Sequence, residues 1–310
     1  MVFQIDLSVR FIYIRDVIAL ELLMTRRNTT DVRPEARVLV TGAGGGIGRC
    51  LAREFAKARC VLFLTDRDAG GLEQTAEETR ALGVPVFART VDVTDRKAVA
   101  ECRSWVEDQG GPLDVLVNNA GIGHSGPLAA TSTEVWRRLV EVNLFGAIHH
   151  VETFLPGMLE RSRGTIVNVS SGQAFFRLPG WGAYAAVKAA LGIWSEMLAF
   201  EVAPRGVRIV TAYPFLVRTG FYRDVDPGRT AWSRWSMKLL PLYSVSPESA
   251  ARRIFEAARK GTRVEWMHPL NQMGFYQRLV PPVANLSTAV LTRLLVGQPE
   301  IPSANPGGAP

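Results

Sequence analysis

Short apolar runs alternate with longer amphipathic segments along most of the chain. Runs such as 38–40, 61–64 and 165–169 have the length and the β-branched content of strands buried on both faces. The segments between them are about a dozen residues long, and their apolar side chains recur at helical spacing. Strands that alternate with helices of this length predict right-handed crossovers between parallel strands. The pattern therefore predicts an α/β fold built on a doubly wound parallel sheet.

The pattern also predicts where the elements lie. The predicted strands are 38–40, 61–64, 84–88, 113–117, 165–169, 207–212 and an edge strand at 264–267. The predicted helices are 47–58, 69–82, 96–109, 132–160, 182–203 and 247–260. Together they predict one domain over residues 34–268, since no linker composition interrupts the alternation.

The two ends of the chain do not follow this alternation. Residues 1–33 form an N-terminal extension, in which Arg15, Asp16 and Glu21 interrupt an apolar stretch. No uninterrupted apolar window is long enough to span a membrane, and the acidic residues inside the stretch do not fit a signal peptide. Two interpretations stay open for it: an interfacial helix, or a native translation start at Met24. Residues 269–310 are predicted to contain an apolar helix near 283–296 and then a disordered tail.

An insertion at 221–243 is rich in aromatic and apolar residues, with arginines between them. One interpretation is a helical lid that covers an apolar substrate. The alternative is ordinary helix packing against the domain. The sequence does not decide between the two.

Composition narrows the class of protein. A chain of 310 residues with 47% hydrophobic and 21% charged residues is globular rather than disordered. The net charge of +7 favours acidic partners or membrane surfaces, whereas no basic block with interleaved aromatic residues suggests nucleic-acid binding. Three cysteines without metal-ligand spacing predict buried, reduced thiols, no metal site and a cytoplasmic location.

A glycine-rich turn follows the first predicted strand. The residues TGAGGGIG at 41–48 stand between a strand and a helix, where backbone N–H groups and the helix N-terminus can meet a pyrophosphate. Asp66 ends the second strand, eighteen residues beyond Gly48, where a carboxylate can accept hydrogen bonds from an adenosine ribose. The alternative for Asp66 is a helix N-cap, a role that Asp68 could also fill. Together these features predict a dinucleotide site.

A second group of polar residues predicts a site for acid–base catalysis. Ser171 follows the apolar run 165–169, and Tyr184 and Lys188 are four residues apart on a predicted helix, hence on one face of it. An ammonium beside a phenol favours the phenolate, so we expect the tyrosine pKa to fall from about 10 toward the working pH. Such a tyrosine can exchange a proton with an alcohol oxygen that the serine hydroxyl holds.

The polar and glycine-rich residues all fall at the carboxyl ends of predicted strands. Ligands of open α/β sheets bind outside these ends, so the chain should gather these residues at one edge. The positions are 42–48, Asp66, Asp92, 118–121, Ser171 and 214–219.

With these motifs in order, residues 37–260 resemble the short-chain dehydrogenase/reductase family. The family's glycine motif matches Thr41, Gly42, Gly46 and Gly48, and its Asn-Asn-Ala-Gly motif matches residues 118–121. Its catalytic set of Asn, Ser, Tyr and Lys matches Asn143, Ser171, Tyr184 and Lys188. One departure is Phe215, which follows Pro214 where the family usually has glycine, and which we expect to reshape the pocket near the nicotinamide.

The resemblance implies a Rossmann-like fold and hydride transfer between a nicotinamide and a carbonyl or alcohol carbon. It implies that Tyr184 is the general acid/base, that Lys188 also binds the nicotinamide ribose, and that Asn143 holds a proton-relaying water. The implied cofactor contacts are Thr41, Gly42, Gly46, Ile47, Gly48, Asp66, Asp92, Val93, Asn118, Ala120, Gly121, Tyr184, Lys188, Pro214, Val217 and Thr219. The expected substrate contacts are Ser171, Trp181 and Phe215.

The cofactor is expected to be NAD rather than NADP. The Asp66 carboxylate would repel a 2′-phosphate, and Gly45 stands where NADP-using relatives often carry a basic residue. Arg67 is the counter-argument, because a guanidinium could pair with that phosphate.

The expectations for the substrate, the partners and the location are less specific than those for the cofactor. A lipophilic alcohol, ketone or aldehyde is favoured, with reduction of 3-oxoacyl groups on an acyl carrier as the alternative and a non-catalytic nucleotide sensor as a more remote one. Homo-oligomers would form, as in the family, through helices 132–160 and 182–203. The apolar ends and the basic charge would allow peripheral association with a membrane.

Overall fold

Seven parallel strands form a single sheet in a computed structural model that describes residues 31–176, 178–220, 244–267 and 281–295. The strands are β1 (Arg37–Thr41), β2 (Val61–Asp66), β3 (Val86–Thr90), β4 (Val115–Asn118), β5 (Gly164–Val169), β6 (Val207–Tyr213) and β7 (Val264–Trp266). Their order is β3-β2-β1-β4-β5-β6-β7, so the winding direction reverses between β1 and β4. The predicted Rossmann-like, doubly wound parallel sheet is confirmed.

Helices cover both faces of the sheet. They are α1 (Gly46–Lys57), α2 (Ala69–Arg80), α3 (Arg96–Glu107), α4 (Thr133–Val140), α5 (Gly146–Glu160), α6 (Gly182–Val202), α7 (Pro247–Lys260) and α8 (Pro281–Leu295). Short 3₁₀ turns lie at Leu128–Ala130, Gly172–Ala174 and Ala203–Arg205.

Alternation along the strands divides the apolar side chains between two cores. Val38 and Val40 of β1 pack into one core with α1, α2 and α7, whereas Leu39 packs into the other with α3, α5 and α6. This is the period-two pattern of a strand buried on both faces. Each face of the sheet is thus covered by three of the described helices.

Several elements differ from the sequence prediction, among them the fourth strand, which begins at Val115 rather than at residue 113. The third strand begins at Val86 rather than at residue 84, because Pro85 has no N–H for the ladder and pairs only through its carbonyl. The helical region predicted at 132–160 is divided into α4 and α5 by a π-helical turn, Glu141–Phe145, that holds one extra residue. Apolar periodicity does not reveal such a turn, since the pattern continues on either side of it.

Several predicted segments lie outside the described residues. These are the lid at 221–243, residues 1–30 of the extension and the tail at 298–310. The C-terminal helix is described, and it begins at Pro281 rather than at 283. Proline is compatible with the first turn of a helix, where no intrahelical acceptor awaits its N–H. Among the described residues, no helix combines the length and the apolar character needed to cross a bilayer.

The three cysteines are free thiols buried in the two cores. Burial raises the pKa of Cys50 and Cys102 to about 11 and that of Cys60 to about 12. These thiols therefore remain protonated at neutral pH and behave as small apolar side chains.

A buried carboxylate ties the start of the described chain to the amino ends of β5 and β6. Asp31 is 3% exposed and accepts hydrogen bonds from Arg163, Arg208 and Thr165 at 3.0, 2.8 and 2.7 Å. The next residue, Val32, is buried in the first core. Both residues come from the stretch that the sequence assigned to the extension, so the folded unit includes them.

We expect Asp31→Asn to lower the free energy of unfolding by about 1–3 kcal/mol. The variant keeps the size of the side chain but leaves two half-exposed arginines without their buried carboxylate. Urea denaturation measures the loss. Glu73→Gln is the control, because its pair with Arg80 is exposed on both sides and should contribute less than about 1 kcal/mol. Equal stabilities of the two variants would contradict a structural role for the Asp31 cluster.

Candidate active site

A cavity of about 360 Å³ opens at the carboxyl end of the sheet, above the reversal between β1 and β4. Fourteen of the predicted site residues line it: Gly42, Gly46, Ile47, Asp66, Asp92, Val93, Ala120, Gly121, Ser171, Tyr184, Lys188, Pro214, Val217 and Thr219. The remaining lining residues are Gly45, Arg67, Val91, Asn119, Ile122, Val142, Val169, Ser170, Leu216 and Gly220. Residues at the ends of six strands, β1 to β6, therefore share one cleft.

Two side chains fasten the glycine loop to the end of β4. The Thr41 hydroxyl accepts hydrogen bonds from the N–H groups of Asn119 and Ala120, both at 3.0 Å. The Asn119 amide donates to the carbonyls of Thr41 and Gly42, both at 3.1 Å. A Cβ on Gly42 would lie 2.7 Å from the Ala120 Cα, and Gly42 has a φ of +65°. Only glycine permits this approach.

The start of α1 is open to a ligand. A Cβ on Gly45 would have nothing within 4 Å, and Gly46 and Ile47 line the cleft. Gly48 lies behind them, where a Cβ would collide with the Gly42 carbonyl at 2.0 Å. The first turn of α1 therefore presents its free N–H groups to the cleft, and these fit a pyrophosphate.

Asp66 is held in place by backbone donors. One carboxylate oxygen accepts the Gly44 N–H at 2.8 Å, and the other accepts the Asp68 N–H at 2.9 Å. Each oxygen keeps a further lone pair for a hydroxyl group of a ligand. Arg67, beside it, is exposed and also lines the cleft. The structure thus brings together both residues that bear on the choice of cofactor.

Six predicted site residues do not line the cavity: Thr41, Gly48, Asn118, Asn143, Trp181 and Phe215. Asn118 points into the sheet, where its amide donates to Asn168. Phe215 is 3% exposed and packs against Phe176, because Leu216, with a φ of +50°, turns the chain and faces the cleft instead. Trp181 is buried and packs edge-on against the Tyr184 ring.

Ser171 and Tyr184 both line the cleft. Ser171 follows β5, and its hydroxyl oxygen accepts the Gln173 N–H at 3.2 Å. This contact occupies a lone pair, so the hydroxyl proton remains available for an acceptor in the cleft. Tyr184 lies in the first turn of α6 and is 6% exposed. The arrangement can hold and protonate an oxygen atom.

Lys188 lies one turn further along α6. It is 4% exposed, and its ammonium donates to the Val169 carbonyl at 3.0 Å. Burial lowers the pKa of Lys188 to about 8. The side chain is therefore charged at neutral pH but releases its proton under mildly alkaline conditions.

Asn143 lies in the π-helical turn and is 1% exposed. Its amide donates to the carbonyls of Ile122 and Leu139, and its oxygen accepts the Ile122 N–H at 3.1 Å. A Cβ on Gly121 would lie 2.7 Å from that oxygen and 3.4 Å from the Lys188 Nζ. The extra residue of the turn thus brings the Asn143 oxygen and the Lys188 ammonium to the same glycine.

The sequence prediction missed Asn119, Ser170 and Leu216. Asn119 stands in the predicted motif, and the alternation of side chains along β4 indicates only that Asn118 and Asn119 face opposite sides, not which of them faces the glycine loop. Leu216 has no sequence signal, because a positive φ at leucine cannot be read from composition.

The model of the short chain dehydrogenase family matches residues 36–230. The chain belongs to this family. The residues described above fit the dinucleotide cofactor of the fold. The glycines leave room beside the first turn of α1, and the carboxylate of Asp66 is held at the end of β2. Among the described residues, no three His, Cys, Asp or Glu side chains are placed to bind a metal ion.

Relatives of this short-chain dehydrogenase include bacterial and animal proteins. SadH of Mycobacterium tuberculosis, whose name describes it as an oxidoreductase, is 32% identical over 229 residues, which cover 72% of this chain and 82% of SadH. The human 17-beta-hydroxysteroid dehydrogenase 13 is 35% identical over 200 residues, or 63% of this chain. That alignment spans 65% of the human enzyme.

Two solved structures share the fold. A short-chain dehydrogenase/reductase from Burkholderia phymatum in complex with NAD superposes with a TM-score of 0.73 at 27% identity, covering 82% of this chain and 95% of that one. An alcohol dehydrogenase from Thermococcus sibiricus complexed with 5-hydroxy-NADP gives a TM-score of 0.63 at 28% identity, covering 74% and 94%. Of these two structures, one thus contains NAD and the other a modified NADP.

We expect the stability of the cofactor-free protein to depend on Lys188 above pH 8. Its pKa is about 8 in the folded state and 10.5 when unfolded, so the unfolded chain binds more protons between these values. The Lys188 contribution to the free energy of unfolding should therefore become more favourable as the pH rises, by up to about 1.4 kcal/mol per pH unit, and should level off above pH 10.5.

Urea denaturation of wild type and Lys188→Met from pH 7 to 10.5 measures this effect as the difference between the two proteins. Lys97→Met, at an exposed position on α3, is the control and should show a difference that does not change with pH. A pH-independent difference for Lys188→Met would mean that the buried lysine keeps an ordinary pKa.

Proposed function

We propose that this protein transfers a hydride between NAD(H) and a secondary alcohol or ketone, or an aldehyde, of a lipophilic substrate. The observation that carries the proposal is the meeting of Ser171, Tyr184 and Lys188 in the same cleft as the glycine loop and Asp66. A nicotinamide bound there would supply or accept the hydride. The side chains of this chain would hold the substrate oxygen and move its proton.

Tyr184 is the proposed general acid/base. It lines the cleft together with Ser171 and Lys188, and its phenol is a group that can exchange a proton with a substrate oxygen. Ser171 would donate its hydroxyl proton to the same oxygen, because the Gln173 N–H already occupies one lone pair of the serine. Two donors on one oxygen stabilise the negative charge that develops there during reduction.

Lys188 would favour the phenolate form of Tyr184 through its positive charge. The Val169 carbonyl holds the ammonium in the wall of the cleft. The Asn143 oxygen keeps one lone pair after binding the Ile122 N–H, and this lone pair can accept a hydrogen bond from a water next to Lys188. Such a water would carry protons between Lys188 and solvent.

The preference for NAD over NADP rests on Asp66. Two backbone N–H groups fix its carboxylate at the edge of the cleft, so a 2′-phosphate would meet a negative charge that cannot turn away. Arg67 is exposed and has no such anchor among the hydrogen bonds of the described residues. The electrostatic balance therefore favours the two free ribose hydroxyls of NAD.

The lipophilic substrate class is supported by the relatives. The human relative and estradiol 17-beta-dehydrogenase 11 of Macaca fascicularis, which is 34% identical over 192 residues, are both named for steroid substrates. Reduction of a 3-oxoacyl group on an acyl carrier is the second candidate. Turnover of a panel that contains steroids, long-chain alcohols and acyl-carrier thioesters separates the two, and turnover of thioesters alone would overturn the lipophilic assignment.

We further propose a cytoplasmic homo-oligomer with peripheral access to membranes. An exposed apolar row on α6, formed by Ile193, Met197 and Phe200, offers a surface for a second copy.

Exposed Leu286 and Val290 on α8 could face lipid, and no acidic residue interrupts that helix. Sedimentation shows the oligomeric state, and flotation with anionic vesicles at low salt tests the lipid contact; a monomer that does not float would contradict both.

We expect Tyr184→Phe to fold normally and to lose about 10²–10⁴-fold in kcat. The ring and its contact with Trp181 are kept, whereas the exchangeable proton is lost. Initial rates on any accepted substrate measure the effect. Tyr213→Phe is the control, because Tyr213 is a buried tyrosine outside the cleft, and its variant should keep turnover. Wild-type turnover in Tyr184→Phe would refute the assignment.

We expect the wild type to prefer NAD(H) over NADP(H) by one to two decades in kcat/KM, or about 1.4–2.8 kcal/mol. Asp66→Asn should shrink this preference about tenfold, since it removes the charge but keeps the shape of the side chain. Asp68→Asn is the control for the loss of a nearby charge outside the cleft. Better use of NADP(H) by the wild type would reverse the proposal.

A further inference from the structure

Three consecutive residues at the end of β5 each make a polar contact with α6. The Asn168 amide donates to the Ser195 hydroxyl at 2.9 Å. The Val169 carbonyl accepts the Lys188 ammonium at 3.0 Å, and the Ser170 hydroxyl donates to the Lys188 carbonyl at 2.7 Å. The next residue of the chain is Ser171. The strand that presents this serine is thus fastened to the helix that presents Tyr184 and Lys188.

The side-chain periodicities of β5 and α6 explain why these contacts all lie on the faces that the strand and the helix turn toward each other. Asn168 and Ser170 are two residues apart on a strand, so both side chains point to the face that α6 covers. Ser195 is seven residues, or two turns, beyond Lys188 on α6, so both project from the buried side of the helix. The contacts therefore form a line along the seam between β5 and α6.

Apolar packing alone cannot fix the helix in its axial position, so the directional restraint along this seam comes from its hydrogen bonds. The buried face of α6 is otherwise formed by apolar side chains, among them Val187, Leu191, Ala199 and Val202. Apolar packing is non-directional, and the free energy of burial changes little when a helix shifts by a fraction of an ångström. A hydrogen bond between neutral groups weakens steeply outside a narrow range of distance and angle. Ser170 supplies such a restraint at Lys188 itself, and Asn168 and Ser195 supply a second one two turns further along the helix.

The restraint extends to the neighbouring strands. Asn118 of β4 donates to the Asn168 oxygen at 2.9 Å, and the Ser195 hydroxyl shares a hydrogen bond of 2.7 Å with Thr211 of β6. All four side chains are at most 4% exposed. Both polar ends of the Asn168 amide are therefore occupied, so the orientation of this amide is fixed from three elements.

We propose that Asn168 and Ser195 are positioning residues, which set the distance between Ser171 on β5 and the Tyr184–Lys188 pair on α6. They touch neither substrate nor cofactor and act only through the placement of the helix. This inference rests on the function proposed above. A displacement of about 1 Å between reacting groups can cost about 100-fold in rate, so a helix held only by apolar contacts would be a poor platform for acid–base chemistry.

The test is Ser195→Ala, which leaves the Asn168 amide without its partner on α6. We expect kcat to fall about tenfold or more, whereas the cofactor KM changes less than threefold, because the glycine loop belongs to β1 and α1. In the direction of alcohol oxidation, the acidic limb of the pH profile of kcat should move to higher pH, since the phenolate loses part of its stabilisation by Lys188.

Thr165→Val is the matched control. Thr165 is fully buried on the same strand, and its hydroxyl bridges Asp31 and Arg208 at the far end from the cleft. This variant should lose stability but keep both kcat and its pH profile. If Ser195→Ala also lost only stability, the two residues would be structural and the proposal would be wrong.

Two further measurements apply if Ser195→Ala does not fold or if no substrate is turned over. Ser195→Cys fills similar space but weakens both hydrogen bonds, so it takes the place of Ser195→Ala if that variant does not fold. Amide hydrogen exchange of residues 182–192 reports the restraint without turnover: it should accelerate in the Ser195 variants and not in Thr165→Val. A wild type that turns over no substrate would refute the proposed function alone, whereas unchanged exchange in the Ser195 variants would refute the restraint.

Discussion

The contact between the ends of β1 and β4 is the constraint on which the site depends. Where parallel strands separate, their hydrogen-bond ladder stops and backbone groups are left without partners. Here the Thr41 hydroxyl and the Asn119 amide satisfy four of these groups across the gap. The glycine loop is thereby held against the next strand, with its remaining N–H groups turned toward the cleft. Larger residues at Gly42 would separate the two loops and remove the cleft.

The positions of the motifs follow from the sequence because strands, turns and helices have nearly fixed lengths. A strand, a glycine turn and a helix in that order place Gly42 and Gly46 at the sheet edge, and a spacing of four on a helix places Tyr184 beside Lys188. These inferences need only local periodicity. They hold whatever the rest of the core does.

The residues that the sequence placed differently depend on non-local geometry. Asn118 and Asn119 are chemically identical, and only the register of β4 between two partner strands decides which of them turns into the sheet. The fate of Phe215 depends on the positive φ of Leu216, a single backbone angle that reverses which side chain faces the cleft. The π-helical turn that holds Asn143 near Lys188 adds a single extra residue to the helix and leaves no periodic trace in the sequence.

The buried polar groups near the cleft show a balance between stability and chemistry. An ammonium that is nearly inaccessible to water lowers the stability of the folded state, as the reduced pKa of Lys188 indicates. A methionine at this position would lower the stability of the folded state less, but it would place no positive charge near the phenol of Tyr184. The retention of lysine at this position is the kind of compromise that functional sites make against the stability of the whole fold.

The Asp31 cluster determines on which side of the molecule the preceding chain leaves. Asp31 is fastened at the amino ends of β5 and β6, whereas the cleft opens at the carboxyl ends, about 20 Å away along strands of six or seven residues. An affinity tag, a fusion partner or a solid support joined directly to Asp31 would therefore be attached on the side opposite the cleft. Immobilised in this way, the protein would keep its ligand entrance directed toward the bulk solution.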